Sequence, residues 1–130
     1  MKSQARVLIV SRDEALLRTR EMLMGTYFNA SRAGTPSEAR TQLLTEHFDL
    51  LVLCHSLRSD EGEGLAAIAH HQEPPAKVLA LRPQTDAGDP RPWADELLGV
   101  DAGPFGLLVT SAKILNFRIR SKARAASVRL

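Results

Sequence analysis

Residues 49–54 read DLLVLC, a run of apolar residues closed by a thiol. A strand with one wet face alternates apolar and polar residues. A short run that is apolar at every position belongs to a strand covered on both faces. The chain holds three runs that are apolar beyond one charged residue at or next to the start: ARVLIV at 5–10, DLLVLC at 49–54 and KVLAL at 77–81. Segments with helical signals separate them. Ser11 with Glu14 three residues on forms a capping box, Leu16, Leu17, Met22, Leu23 and Met24 give an apolar face, and Gly25 closes the helix. Thr35 is the cap of the next helix, with Pro36 at its first position and Glu38 reaching back, while Ala39, Leu43 and Leu44 face inward. RSDEGEG, residues 58–64, is a polar turn with two glycines. Leu65, Ala66, Ile68 and Ala69 then start a helix that Pro74 and Pro75 end.

Two weaker strands complete the pattern, YFNASRA at 27–33 and DELLGV at 95–100. Residues 82–93 carry three prolines and a glycine, which predicts loop. Phe105, Leu108, Val109, Ala112, Leu115 and Ile119 form one stripe of a closing helix. Strands alternating with helices imply a doubly wound parallel α/β sheet with helices on both faces. The functional crevice of such a sheet lies beyond the carboxyl ends of its strands. That places Ser11, Arg12 and Asp13, then Cys54, Arg82, Gly99 and Val100 at the crest.

Size and composition narrow the class. The chain has 130 residues, one domain's worth, and its 44% hydrophobic and 25% charged residues suit a globular protein. No apolar run reaches membrane-span length and the first ten residues do not form a signal peptide. One cysteine excludes an internal disulfide and a cysteine-based zinc cage, so a reducing, cytoplasmic setting is expected. All 15 acidic residues lie at or before Asp101, leaving residues 1–112 at net −4 and residues 113–130 at +6. The high pI therefore belongs to the tail.

The segments VLIVSRDEALLR, PSEARTQLL and FDLLVLCHSLRSDEGEGLAAI make the chain resemble a response-regulator receiver domain over roughly residues 5–117. The resemblance implies the CheY/flavodoxin-like fold, a five-stranded sheet in the order 2-1-3-4-5. The fourth helix is short or missing, because the proline-rich segment 83–93 stands in its place. Residues 1–120 are expected to form the domain, standing alone, and 121–130 a basic, flexible tail. The resemblance also exposes departures from the family's chemistry. Cys54 holds the place of the phosphate-accepting aspartate. Ser11 and Arg12, followed by Asp13, hold the place of the acidic pair. Arg82 replaces the hydroxyl residue, and Val100 the lysine after the fifth strand. Arg58 stands where a proline is common, and Gly62 matches the glycine of the following loop.

Phosphotransfer of that family needs a carboxylate nucleophile and a Mg²⁺ ion held by acids. With Cys54 and Arg12 in those places, Mg²⁺ is not expected, nor any other cofactor or catalytic role. A degenerate receiver acting by protein–protein contact is the expected function, in two-component-type signalling. Trp93 and Phe105 are its candidate interface residues, toward another protein or a second copy. Two alternatives use the crest itself. Cys54 near Arg12 and Arg82 suits a thiol sensor, against the plainer reading of a buried core residue. Arg12, Arg82 and Arg58 suit an anionic ligand, against plain neutralisation of Arg12 by Asp13, Asp60 or Glu61. His55, His70 and His71 do not converge, so no metal site is expected. The glycines at 62–64 lack the lysine and hydroxyl of a phosphate-binding loop and serve turn geometry. The basic tail is a lesser candidate for nucleic-acid contact, and no membrane contact is expected.

Overall fold

The computed structural model describes residues 4–82 and 91–116. In chain order the elements are β1 (Arg6–Val10), α1 (Glu14–Gly25), β2 (Asn29–Ala33), α2 (Pro36–Thr45) and β3 (Leu50–Leu53). They continue with α3 (Ser59–His70), β4 (Lys77–Arg82), β5 (Glu96–Gly99), a 3-10 turn at Val100–Ala102 and α4 (Gly103–Ile114). The five strands pair in parallel in the order β2-β1-β3-β4-β5. Alternate residues of each inner strand feed two separate cores. Leu8, Val10, Leu51, Leu53 and Val78 pack with Ala39 and Leu43 of α2 and with Leu65, Ala66 and Ala69 of α3. Val7, Ile9, Leu50, Val52, Cys54, Leu79 and Leu81 pack with Leu17 and Met24 of α1 and with Leu107, Leu108 and Ala112 of α4. The unbroken apolar runs thus have the cause expected of them, a helix layer on each face.

The base of the sheet carries one device twice. The residue just before β3 and the residue just before β5 are both aspartates. Asp49 donates its N–H to the Arg6 carbonyl (2.8 Å), and its Oδ2 accepts the Arg6 N–H (2.8 Å). Asp95 donates its N–H to the Val78 carbonyl (2.9 Å), and its Oδ2 accepts the Val78 N–H (2.8 Å). Each aspartate satisfies both polar groups of its neighbour at the sheet's base, and so fixes the register of β1 with β3 and of β4 with β5.

Several sequence expectations need correction. The cap of α1 is Asp13, whose Oδ1 accepts the Leu16 N–H (3.1 Å), and not Ser11. Met22 is 71% exposed and Leu44 64% exposed, because each lies well off the buried stripe set by Leu17 and Met24 or by Ala39 and Leu43. Helix α3 begins at Ser59, so the polar segment around Gly62 is helical and not a turn. The buried stripe of α4 runs through Leu107, Leu108, Ser111 and Ala112, which leaves Phe105 72% exposed and Val109 exposed. Ser111 is the reason: a polar residue occupies the core-facing line, so counting apolar residues alone rotates the stripe. Between β4 and β5 no helix occurs among the described residues. The remainder of that expectation, at 83–90, falls outside them, as do Ile119 and the tail.

Thr35 caps α2 as expected, accepting the Glu38 N–H at 3.1 Å, with Pro36 at the first helical position. Glu38 reaches one residue further back than a capping box does, to the Gly34 N–H at 2.7 Å. Thr35→Ala is expected to lower stability by about 1 kcal/mol, measured as a lower urea midpoint with an unchanged slope. An unchanged midpoint would show that the cap contributes nothing.

Candidate functional site

The carboxyl ends of β1 and β3 lie side by side, and the segments after them meet. Cys54 follows β3, is fully buried, and donates its N–H to the Val10 carbonyl at 3.0 Å. Ser11 follows β1 and is also buried. Its Oγ accepts the Asp13 N–H (3.1 Å) and is hydrogen-bonded to Ser56 Oγ (3.2 Å), which in turn accepts the Arg12 N–H (2.9 Å). This pair of hydroxyls ties the β1–α1 and β3–α3 segments together.

The charged groups expected here are mostly neutralised. The Arg12 guanidinium donates to Glu61 on α3. Glu61 also accepts the Arg58 N–H at 3.0 Å, and that bond, with the Arg12 cation, holds its carboxyl below the usual range. Arg58 makes a two-pronged pair with Asp60, both nitrogen-to-oxygen distances being 3.0 Å. Asp13 is engaged as the cap of α1. Arg82 lies half-buried at the end of β4, in register with Gly99. Val100 opens the 3-10 turn after β5 and packs on the α1/α4 core.

Arg20 is the cation that reaches the thiol, with its Nη1 donating to Cys54 Sγ at 2.9 Å. This corrects the expectation that Arg12 and Arg82 flank it. Burial pushes the Cys54 pKa up, and the nearby Arg20 cation opposes this only in part. A reactive thiol needs the opposite direction. The signal for Arg20 was present in the sequence: it lies three residues after Leu17 and four before Met24, on the buried stripe of α1.

The segment before β5 folds over the start of α3. The Trp93 ring lies so close to Gly62 that a Cβ there would be 2.5 Å from the indole. Trp93 Nε1 donates to Ser59 Oγ (3.3 Å), and the Arg91 guanidinium lies 5.8 Å from the ring centroid. Arg91 itself is buried and donates to the Leu57 carbonyl (3.3 Å). Gly62 therefore makes room for an aromatic ring, and Trp93 is half-buried against α3. Phe105, in contrast, stands out from α4.

The histidines diverge as expected. His70 Nε2 is 2.8 Å from Asp95 Oδ2, while His71 Nδ1 is 2.7 Å from the Ala67 carbonyl. His55 has a buried Nδ1 with no hydrogen-bond partner, and burial, with the nearby Arg20 cation, pulls its pKa down. Among the described residues no three His, Cys, Asp or Glu side chains gather in a way that could hold a metal ion. A hydroxyl, a guanidinium paired to Glu61, a capping carboxylate and a thiol are a poor donor set for Mg²⁺, which prefers several oxygens.

No family model matches this sequence, and no curated protein matches it. Solved structures do. A response regulator from Chloroflexus aurantiacus J-10-fl is similar at 22% identity, covering 88% of this chain and 99% of that one, with a TM-score of 0.72. A CheY-like receiver domain protein from Methanospirillum hungatei JF-1 is similar at 21% identity, covering 88% and 95%, with a TM-score of 0.72. An adenylate cyclase chain from Rhodopirellula baltica is similar at 14% identity, covering 98% of both, with a TM-score of 0.73. The fold is that of receiver domains. Among the described residues no helix is long and apolar enough to cross a membrane.

Proposed function

We propose that this chain is a degenerate receiver domain that works in two-component-type signalling as a cytoplasmic, phosphorylation-independent interaction module, without enzymatic activity. One observation carries the reading. At the crest, the end of β3 carries a buried thiol with a raised pKa and the end of β1 an Arg12 locked to Glu61, which supports reading them as replacements for the phospho-acceptor and the acids of the family. The partner is another protein or a second copy, met through the surface around α4, where Phe105 and Val109 stand exposed four residues apart. Buried aromatic anchors dominate the energetics of such contacts. Signalling then depends on occupancy, since no covalent mark is set or removed.

Acetyl phosphate with Mg²⁺ is expected to leave the protein unmodified, by intact mass and by phosphate-affinity gel. Cys54→Asp is expected to remain unmodified as well, because the acidic pair is still missing and Arg12 still faces Glu61. A stable phosphoprotein from the unaltered chain would refute the reading. Phosphorylation of Cys54→Asp alone would show that only the acceptor was lost.

A further inference from the structure

The short segment before β5, residues 91–95, touches helix α3 at both of its ends. At the crest, the Arg91 guanidinium donates to the Leu57 carbonyl just ahead of the helix (3.3 Å). In the first turn, Trp93 Nε1 donates to Ser59 Oγ (3.3 Å), and the indole fills the space that a Cβ on Gly62 would need. In the last turn, His70 Nε2 is 2.8 Å from Asp95 Oδ2, the same oxygen that accepts the Val78 N–H. Trp93 and Ala94 also pack against the α2/α3 core. One segment thus joins the loop after β3, both ends of α3 and the start of β5.

Its backbone is held in an unfavourable shape. Arg91 has a φ of 40°, in the left-handed region that a long side chain avoids, and its side chain is buried. A residue stays in such a conformation only where surrounding contacts over-determine it. The contacts that do so include those with α3 and the loop ahead of it. Were they lost, the backbone at Arg91 would relax and carry the indole away from Gly62.

We propose that residues 91–95 are a latch. Closed on α3, the latch sets the position of β5 and of α4, which follows β5 through the 3-10 turn. On release, Arg91 relaxes to negative φ, Trp93 leaves Gly62, and Asp95 loosens its hold on His70 and Val78. β5 and α4 then shift relative to α3, while β1, β2, β3 and β4 keep their pairing. The latch rests on the proposed function only in taking α4 as the partner face. Phosphotransfer tests that reading and leaves the latch untouched, so the two fail separately.

Gly62→Ala and Gly64→Ala in the full chain provide the test. The two substitutions make the same chemical change two positions apart on α3, with the same intrinsic gain in helix propensity. A Cβ at position 62 meets the Trp93 ring, whereas one at position 64 meets open space. Trp93 is the single tryptophan of the chain, so its emission reads the latch directly. Gly62→Ala is expected to red-shift that emission, to open the indole to iodide quenching, and to move the resonances of β5 and of Phe105 on α4. Amide exchange at Val78 and Asp95 is expected to quicken at least about tenfold relative to the amides of β1 and β3. Gly64→Ala is expected to leave all of these as they are. Equal responses to the two substitutions would overturn the proposal. So would a Gly62→Ala protein in which Trp93 moves while β5 and Phe105 do not, because the segment would then serve packing alone. If Gly62→Ala does not fold, the unaltered protein decides. Its Val78 and Asp95 amides are expected to exchange through an opening of their own, with a weaker denaturant dependence than the amides of β1 and β3. The same dependence at all of them would show that the segment opens only when the whole domain unfolds, and would overturn the latch.

Discussion

Leu53→Ala is expected to destabilise the domain by about 2–5 kcal/mol, enough to lower the thermal midpoint by about 10 °C. Leu53 is fully buried, stands opposite Val10 in β1 and Ala80 in β4, and belongs to the α2/α3 core. Removing its branched end leaves a cavity between a central strand and two helices, where neighbours held by the sheet ladder cannot close in. Denaturant unfolding measures the loss. A fall of less than about 1 kcal/mol would mean that β3 is not enclosed on this face.

The second large effect concerns Cys54. In the folded protein at pH 8, an aromatic disulfide reagent is expected to react with Cys54 at least about 100-fold more slowly than in denaturant. Two causes act together: the sulfur is fully buried, and its pKa is raised, so the thiolate that would attack is scarce. The same shift predicts a pH effect on stability. The folded pKa lies above the unfolded one, so the contribution is intact below about pH 8.5 and is lost as pH rises beyond it. Cys54→Ala is expected to flatten that alkaline decline. A native thiol that reacts as fast as the unfolded one would restore the sensor reading.

The fold was legible because its signals are local and redundant. DLLVLC can be covered only by layers on both sides, and Thr35 with Pro36 announces a helix start regardless of context. The errors came where neighbours decide. Gly62 and its acidic flanks read as a turn, yet Arg58, Asp60 and Glu61 start a helix there, and the glycine serves the ring of Trp93, which lies far along the chain. Met22 and Leu44 read as core because they are apolar, but helical phase turns them outward. Ser111 is polar and so has no place in a stripe counted from apolar residues, yet phase turns it inward.

The site was legible in its location and not in its contacts. Strand ends placed Ser11, Arg12, Asp13 and Cys54 together without any coordinates. Spacing along the chain did not say which arginine each partner takes. Glu61 captures Arg12 because helix α3 begins earlier than composition suggested and brings that carboxylate to the crest. Arg20 reaches Cys54 from α1, a contact that only the packing of that helix on the sheet creates. Its clue was a charge on an otherwise apolar line, which is easily taken for a surface residue.

Asp49 and Asp95 dowel the strands together at the end of the molecule opposite Cys54. Alignment of the sheet is thus secured far from where a receiver does its chemistry, and it asks nothing of the residues there. A lineage built this way can exchange its reactive groups one after another while its framework stays put. Changes at Cys54 or Arg12 therefore leave both of these base clamps untouched.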